Sequence, residues 1–457
     1  MIDMSTVKTV HFVGIGGISN SAIAELMAQA GYTVTGSDLC ESDLTRHLRD
    51  KGIEVFIGHA AENVSNADLV VYTVAVGEEN PEMAEAKKKG IPCLTRAEML
   101  GQIMAGYETA IAISGTHGKT TTTSMVTRIF NDSKYNPTAL VGGVFDDIHS
   151  NLKIGDSRFF ITEACEYKES FLSFFPKIGV ILNIDEDHLD YYRDLDHIVS
   201  AFVKFAKNVE NGGTLIINGD DYNTRKIIPY YRGKLVTFGM ADHCDFRAAN
   251  IVYNTNGCAQ FDVFDKDHLL CSIELQIPGQ HNIYNALAAF SAGSIAGVPA
   301  KELAAKLETF KNAHRRFEKR GVKNGVTVID DYAHHPNEIR VTLEAAKRIA
   351  SVGKIWCVFQ PHTYSRTKDL LHGFAGAFGN ADEVLLADIY AAREKDTGEI
   401  SSIDLMNALN TEGVHSVYFE SFNAIVSHLK AHAAPGDLVI TMGAGDIYRV
   451  GNLFLED

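Results

Sequence analysis

Short apolar runs recur along this chain, and each breaks into a glycine-rich or acidic turn before a stretch with helical spacing. In the first hundred residues the runs 9–13, 33–35, 69–74 and 91–94 predict strands, while 22–30, 81–90 and 96–104 predict helices. Gly31 stops the first of these helices and Thr95 caps the third. Residues 101–108 read as a linker into the next buried strand, 110–113. Further strands are predicted at 159–162, 178–184 and 215–218. Between 233 and 277 several short runs alternate apolar and polar and break at Asn-Gly, the pattern of an antiparallel patch. An alanine-rich helix opens at 278–286, and 310–320, rich in Lys, Arg and His, reads as a charged connector. Beyond it 326–329, 354–358, 384–387 and 438–441 predict strands that each end in a polar cluster, with a helix from Asn337 onward.

The strand at 110–113 runs into Gly115-Thr116-His117-Gly118-Lys119-Thr120-Thr121. Strand, glycine loop, Lys-Thr and helix form a cradle for a triphosphate: backbone N–H groups face the anion, the lysine reaches the terminal phosphates and the threonine takes a cation. Only two residues separate Gly115 from Gly118, and position 113 is Ile, so the usual pattern is one glycine short. Earlier, Gly14-Ile15-Gly16-Gly17-Ile18-Ser19 follows the first strand, and Asp38 ends the second. That βαβ unit fits a nucleotide-diphosphate site, a dinucleotide site or a tight structural turn, and Ser19 replaces the third glycine of the dinucleotide fingerprint. Alternating strands and helices predict parallel sheets, and 457 residues exceed one ordinary core. The expected fold is α/β with three domains in series: a Rossmann-like domain over 1–106, a central P-loop ATPase-type domain over 107–312 and a C-terminal Rossmann-like domain over 313–457.

Charge and cysteine usage narrow the function. The net charge is −16, from 42 Lys+Arg against 58 Asp+Glu, with no basic block, which weighs against nucleic acid and against an anionic membrane surface. The seven cysteines (40, 93, 165, 244, 258, 271 and 357) include no Cys-x-x-Cys pair and read as reduced thiols. No apolar stretch approaches a membrane span and the N-terminus lacks a signal-peptide pattern, so a soluble cytoplasmic protein is expected.

Candidate chemistry gathers at predicted strand ends, where α/β proteins place ligands. Glu163-Ala164-Cys165-Glu166-Tyr167 and Asp185-Glu186-Asp187-His188-Leu189-Asp190 follow two central strands, and Glu163 and His188 could join Thr120 around Mg²⁺. His281, Asn282 and Asn285 at a helix start could read a base edge or merely cap the helix. In His314-Arg315-Arg316-Phe317-Glu318 the paired arginines could close on a triphosphate or form a solvated linker. Asp330-Asp331-Tyr332-Ala333-His334-His335-Pro336 and Gln360-Pro361-His362-Thr363-Tyr364-Ser365-Arg366 end two C-terminal strands. Three nucleotide-type domains in series suggest an ATP-driven coupling enzyme, with a P-loop switch or an ATP-regulated dehydrogenase as alternatives.

Taken together, these segments resemble the Mur ligases, whose P-loop is shortened in the same way as Gly115 to Thr121. The likeness extends over essentially the whole chain and rests on Gly14-Ile15-Gly16-Gly17, the Glu163 segment, 183–192, 330–336 and Gln360-Pro361-His362. Its nearest branch joins L-alanine to UDP-N-acetylmuramate; the murein-tripeptide ligases resemble it too but carry a longer insertion after the Glu163 strand, and folylpolyglutamate synthetases lack the first domain. The resemblance implies that Gly14, Gly16, Gly17, Ile18 and Ser19 hold the UDP diphosphate, with Asp38, His59 and Arg96 as further contacts. It implies ATP and two Mg²⁺ ions as cofactors: Gly115, Thr116, His117, Gly118, Lys119, Thr120 and Thr121 around the phosphates, Thr120 and Glu163 on one ion and His188 on a second. His281 and Asn282 would hold adenine, Asp331 the ribose, and Arg316 the γ-phosphate. His335, His362 and Arg366 would line the amino-acid side, and Lys119, Glu163, His188, Arg316 and His335 would form the catalytic set. Thr363 stands where some relatives place a basic residue, Lys204 has no assigned role, and a homodimer stays open.

Overall fold

The computed structural model describes residues 2–456 except 74, 75, 211, 350–352 and 393. Three sheets follow one another along the chain. The first contains β1 (Thr9–Val13), β2 (Thr33–Asp38), β3 (Glu54–Ile57), β4 (Leu69–Tyr72) and β5 (Cys93–Thr95), all parallel, in the order β3-β2-β1-β4-β5. Val74, the expected end of the fourth strand, lies outside the described residues. The order reverses beside β1, and the Gly14 turn sits at that switch point, where α/β sheets open a crevice.

The second sheet has ten strands: β6 (Thr109–Ser114), β7 (Thr138–Phe145), β8 (Ser150–Lys153), β9 (Phe159–Ala164), β10 (Ile178–Ile181), β11 (Thr214–Asn218), β12 (Lys234–Gly239), β13 (Phe246–Tyr253), β14 (Cys258–Asp265) and β15 (His268–Pro278). Their order is β15-β14-β13-β12-β11-β10-β6-β9-β7-β8. From β7 to β13 neighbours run parallel, whereas β8 and the β13–β15 ribbon are antiparallel. The antiparallel patch expected over 233–277 therefore divides: β12 joins the parallel core, and β13 to β15 form the antiparallel ribbon, where one face is solvated. Helix Lys119–Phe130 and helix His281–Ile295 pack on this sheet and against each other, and every threonine from Thr120 to Thr123 is buried.

The third sheet comprises β16 (Glu318–Lys323), β17 (Val326–Asp331), β18 (Ile355–Phe359), β19 (Glu383–Leu386), β20 (Ser416–Tyr418) and β21 (Leu438–Met442), in the order β16-β17-β21-β18-β19-β20, parallel except for β16. The charged connector is thus shorter than expected. Glu318-Lys319-Arg320-Gly321-Val322-Lys323 is an edge strand whose charges keep the sheet edge from pairing with other chains. No helix among the described residues is long and apolar enough to cross a membrane.

The expected linker at 101–108 also shortens, because helix Arg96–Met104 continues through Gly101. Gly101 is buried there for lack of space: a Cβ would come within 2.1 Å of the Ser173 carbonyl oxygen across the junction between the first two sheets. Gly101→Ala should therefore lower unfolding stability by about 1–3 kcal/mol in urea titrations, despite the better helix propensity of alanine; an unchanged midpoint would contradict this packing.

Candidate active site

The P-loop is a compact turn between β6 and helix Lys119–Phe130. Gly115 and Gly118 take φ of +136° and +83°, which side chains rarely adopt. The loop does not hold itself. Thr116 N–H donates to the Asn183 carbonyl (3.1 Å), His117 N–H donates to Asn183 Oδ1 (2.8 Å), and Asn183 Nδ2 donates back to the His117 carbonyl (3.0 Å). Behind it Asn285 supports Thr122, whose hydroxyl donates to Asn285 Oδ1 at 3.2 Å.

Three cavities run along the seam between the middle and C-terminal sheets. The first, about 260 Å³, is lined by His117, Gly118, Thr121, His281, Asn282, Phe238, Arg316 and Asp331 among others. The second, about 490 Å³, holds Lys119, Thr120, Glu163, Glu166, His188, Arg316 and Ile18. The third, about 460 Å³, is lined by Tyr167, Asp187, His188, His362, Thr363 and Arg366. Gly118, Arg316 and Glu338 border the first and second, and Asp187 and His188 border the second and third, so the cavities form one row.

In the middle cavity Lys119 Nζ lies 2.9 Å from Glu166 Oε2 and donates to the Thr116 carbonyl. Burial pulls this amine towards neutrality, but the Glu166 charge outweighs it and raises its pKa. Glu163 accepts the Gly142 N–H at 2.7 Å. His188, at φ 55°, brings Nε2 to 3.8 Å from both Glu166 and Asp187 and packs its ring against Tyr167 at a tilt of 38°. The C-terminal domain reaches in with two guanidinium groups. Arg316 Nη2 donates to Thr120 Oγ1 at 3.4 Å, and Arg366 Nη2 donates to Asp187 Oδ1 at 3.1 Å. Burial pushes the Asp187 carboxyl up, yet His188 and Arg366 hold it well below the usual range. Arg315 is spent inside its own domain on Asp330 and on the Gly443 and Gly445 carbonyls, so the paired arginines divide into one brace and one reaching group. Thr120, Glu163, Glu166 and His188 offer hard oxygens and one imidazole to the same cavity, a donor set that fits Mg²⁺ beside phosphate.

The remaining candidates are distributed unevenly. Asn282 lines the first cavity, but its amide donates to the Pro278 carbonyl and accepts from Asn285. His281 is held neutral, its pKa pushed down to about 4 by burial. Asp331 accepts the Phe317 and Ala333 N–H groups, and burial raises its pKa to about 6. His362 and Arg366 share the third cavity and meet at 3.2 Å; Thr363 caps the following helix at φ 65°. His335, expected beside them, lines none of the three cavities: Nε2 donates to the Glu186 carbonyl and Nδ1 accepts the Asn337 N–H, so it joins the two domains and caps a helix. In the first domain Gly14, Gly16, Gly17 and Ser19 surround the start of helix Ile18–Gln29, and Ile18 reaches the middle cavity. Asp38 accepts the Gly16 N–H at 2.8 Å, and His59 binds Ser37 and the buried Glu82. Arg96 opens its helix near Cys165, whose thiol burial pushes up to about 11. Lys204 pairs with Glu169 at 2.8 Å, outside all three cavities.

Asn183, Glu166, Asp187 and Glu338 were missed as site residues. The first three stand inside segments already singled out, whereas Glu338, in the first turn of helix Pro336–Lys347, has no signal in the sequence. It completes a bridge: His117 lies 3.2 Å from Glu338 on one side and 3.2 Å from Asp185 on the other.

The family models match over the same three units: the Mur ligase family catalytic domain over residues 9–108, the Mur ligase middle domain over 113–293 and the Mur ligase glutamate ligase domain over 315–445. The chain belongs to the Mur ligase family. It is 51% identical over 449 residues to the UDP-N-acetylmuramate–L-alanine ligase of Clostridium botulinum strain Loch Maree, covering 98% of each chain, and 50% identical to that of Clostridium acetobutylicum. Among solved structures, UDP-N-acetylmuramate-alanine ligase from Thermotoga maritima aligns over 98% of both chains with a TM-score of 0.81 and 30% identity. A murein peptide ligase from Psychrobacter arcticus, at 24% identity and a TM-score of 0.73, shares the fold.

The His117 bridge has a pH signature. Burial alone would deprotonate the imidazole, but Asp185 and Glu338 push its pKa up to about 9 from the ordinary 6.5. The folded chain holds that proton more tightly, so this stabilisation is complete below pH 6.5 and is lost as pH rises through about 9. Wild-type protein should lose about 1–3 kcal/mol more than His117→Asn between those limits; parallel stability profiles would contradict the bridge.

Proposed function

We propose that this chain is an ATP-dependent ligase that joins L-alanine to the lactyl carboxylate of UDP-N-acetylmuramate, in cytoplasmic peptidoglycan precursor synthesis. The row of three cavities carries the reading, because it sets a nucleotide space, a phosphate space and an amine space in line. The UDP diphosphate lies at the Gly14–Ser19 turn, and the sugar's carboxylate enters the middle cavity past Ile18. Adenine occupies the cavity beside His281 and Asn282, and Asp331 takes the ribose.

The carboxylate oxygen attacks the γ-phosphorus and ADP leaves, giving an acyl phosphate. The neutral amine of L-alanine then attacks the carbonyl carbon, the tetrahedral intermediate expels phosphate, and the amine proton is lost to give the amide. Most of the acceleration comes from positioning and from charge stabilisation. Lys119, held charged by Glu166, follows the charge that moves onto the β-phosphate. Arg316, aimed at Thr120, covers the γ-phosphoryl group from the C-terminal side. Mg²⁺ on Thr120 and Glu163, with a second ion at His188, would neutralise the two anions as they approach. His362 and Arg366 hold the alanine carboxylate in the third cavity.

Phosphate release from ATP and Mg²⁺ should require both UDP-N-acetylmuramate and L-alanine, with glycine, L-serine and the murein tripeptide as weak acceptors. Dependence on the tripeptide, or release that ignores every acceptor, would overturn the assignment. Lys119→Ala should lower kcat by about 10³-fold or more, and Arg316→Ala by about 10²–10³-fold with the KM for the sugar nucleotide nearly unchanged. Near-normal turnover in either variant contradicts its assigned role.

A further inference from the structure

Beside the first cavity but outside its lining, two turns of the middle domain meet. Asn218 ends β11 and leads into Gly219-Asp220-Asp221, while the turn 240–245 joins β12 to β13. Their meeting brings together the Asp220 carboxylate, the His243 imidazole and the Cys244 thiol, with one ligating atom from each all within 4.8 Å of one another. Cys244 Sγ is 3.6 Å from Asp220 Oδ1, and His243 Nε2 is 3.0 Å from the Gly219 carbonyl oxygen. The thiol is buried and the imidazole exposed, so the group is walled on one side and open to solvent on the other. Gly219 forms the floor: a Cβ there would stand 2.6 Å from Cys244 Sγ and 3.5 Å from His243 Nε2.

We propose that Asp220, His243 and Cys244 form a binding site for one borderline-soft divalent cation of the Zn²⁺ class. Thiolate, imidazole and carboxylate together select such an ion over Mg²⁺, in contrast to the oxygen-rich set at Thr120 and Glu163. Tetrahedral bonds of about 2.0–2.3 Å space ligand atoms about 3.3–3.8 Å apart, so shifts of about 1 Å or less close the site. The thiol gives up its proton to solvent on binding, the neutral imidazole binds through Nε2 with its proton on Nδ1, and the Gly219 carbonyl or a water completes the coordination. Asp220 stays oriented by the Met240 and Ala241 N–H groups. It also accepts the Tyr284 hydroxyl at 3.0 Å, and Tyr284 lines the first cavity, so the site lies one side chain from that cavity.

Titration of the chelator-treated full chain with Co²⁺, in excess Mg²⁺, tests the site. The expected result is a thiolate-to-cobalt charge-transfer band that saturates at one equivalent and is removed by one equivalent of Zn²⁺. Cys244→Ser should lose the band, and His243→Gln should bind at least about tenfold more weakly, with both variants folded by circular dichroism. A band that persists in Cys244→Ser, or no band in the folded wild type, overturns the proposal.

Discussion

Asn183 fixes the shortened loop, and the charged groups around the phosphate cavity take their places from that tie. With only two residues between its glycines, the loop is tied from inside by Lys119 on the Thr116 carbonyl and from outside by Asn183. Asn183 does so by accepting one N–H and donating to the carbonyl of the same residue, His117. It follows β10, the strand beside β6, so the segment that pins the loop continues directly into Asp185, Asp187 and His188. Loop and acidic segment therefore share one frame rather than being brought together by separate elements.

Around that frame the charges conflict. Glu163, Glu166, Asp187 and Glu338 border the middle cavity, proposed for the triphosphate, against Lys119, Arg316 and an Arg315 already paired with Asp330. Such a site becomes favourable for phosphate only when cations enter with it, which is the electrostatic basis of the proposed Mg²⁺ requirement. The C-terminal domain takes part through side-chain contacts that include Arg316 on Thr120, Arg366 on Asp187 and Glu338 on His117. Since each of these contacts ends on a group that lines one of the three cavities, occupancy of the site and docking of that domain are energetically linked.

The parallel sheets were legible because buried strands such as β6, β10 and β18 are continuous apolar runs, and turn chemistry marks their ends. β16 was not, since an edge strand protected by Glu318, Lys319 and Arg320 has the composition of a linker. The helix over 96–104 was legible in full, and only the linker expected from Gly101 overlapped it, because glycine signals a break by propensity whereas here Gly101 stays helical and serves a tertiary contact with Ser173. Within the site, residues contributed by motifs were readable as types but not as partners. Nothing local tells Arg315 from Arg316, and only the position of Asp330 and the Gly443 carbonyl decides which one turns inward. His335 reads like His362 in sequence, yet the cap on Asn337 takes it out of the amine cavity.

The central claim is that this row of cavities activates a carboxylate by transferring phosphoryl to it. Turnover with UDP-N-acetylmuramate labelled with ¹⁸O in the lactyl carboxylate tests that claim most directly, followed by mass analysis of the released phosphate. The account predicts one ¹⁸O in each phosphate formed with L-alanine, because the attacking carboxylate oxygen leaves with the phosphoryl group. Phosphate that carries no label while amide accumulates would contradict it.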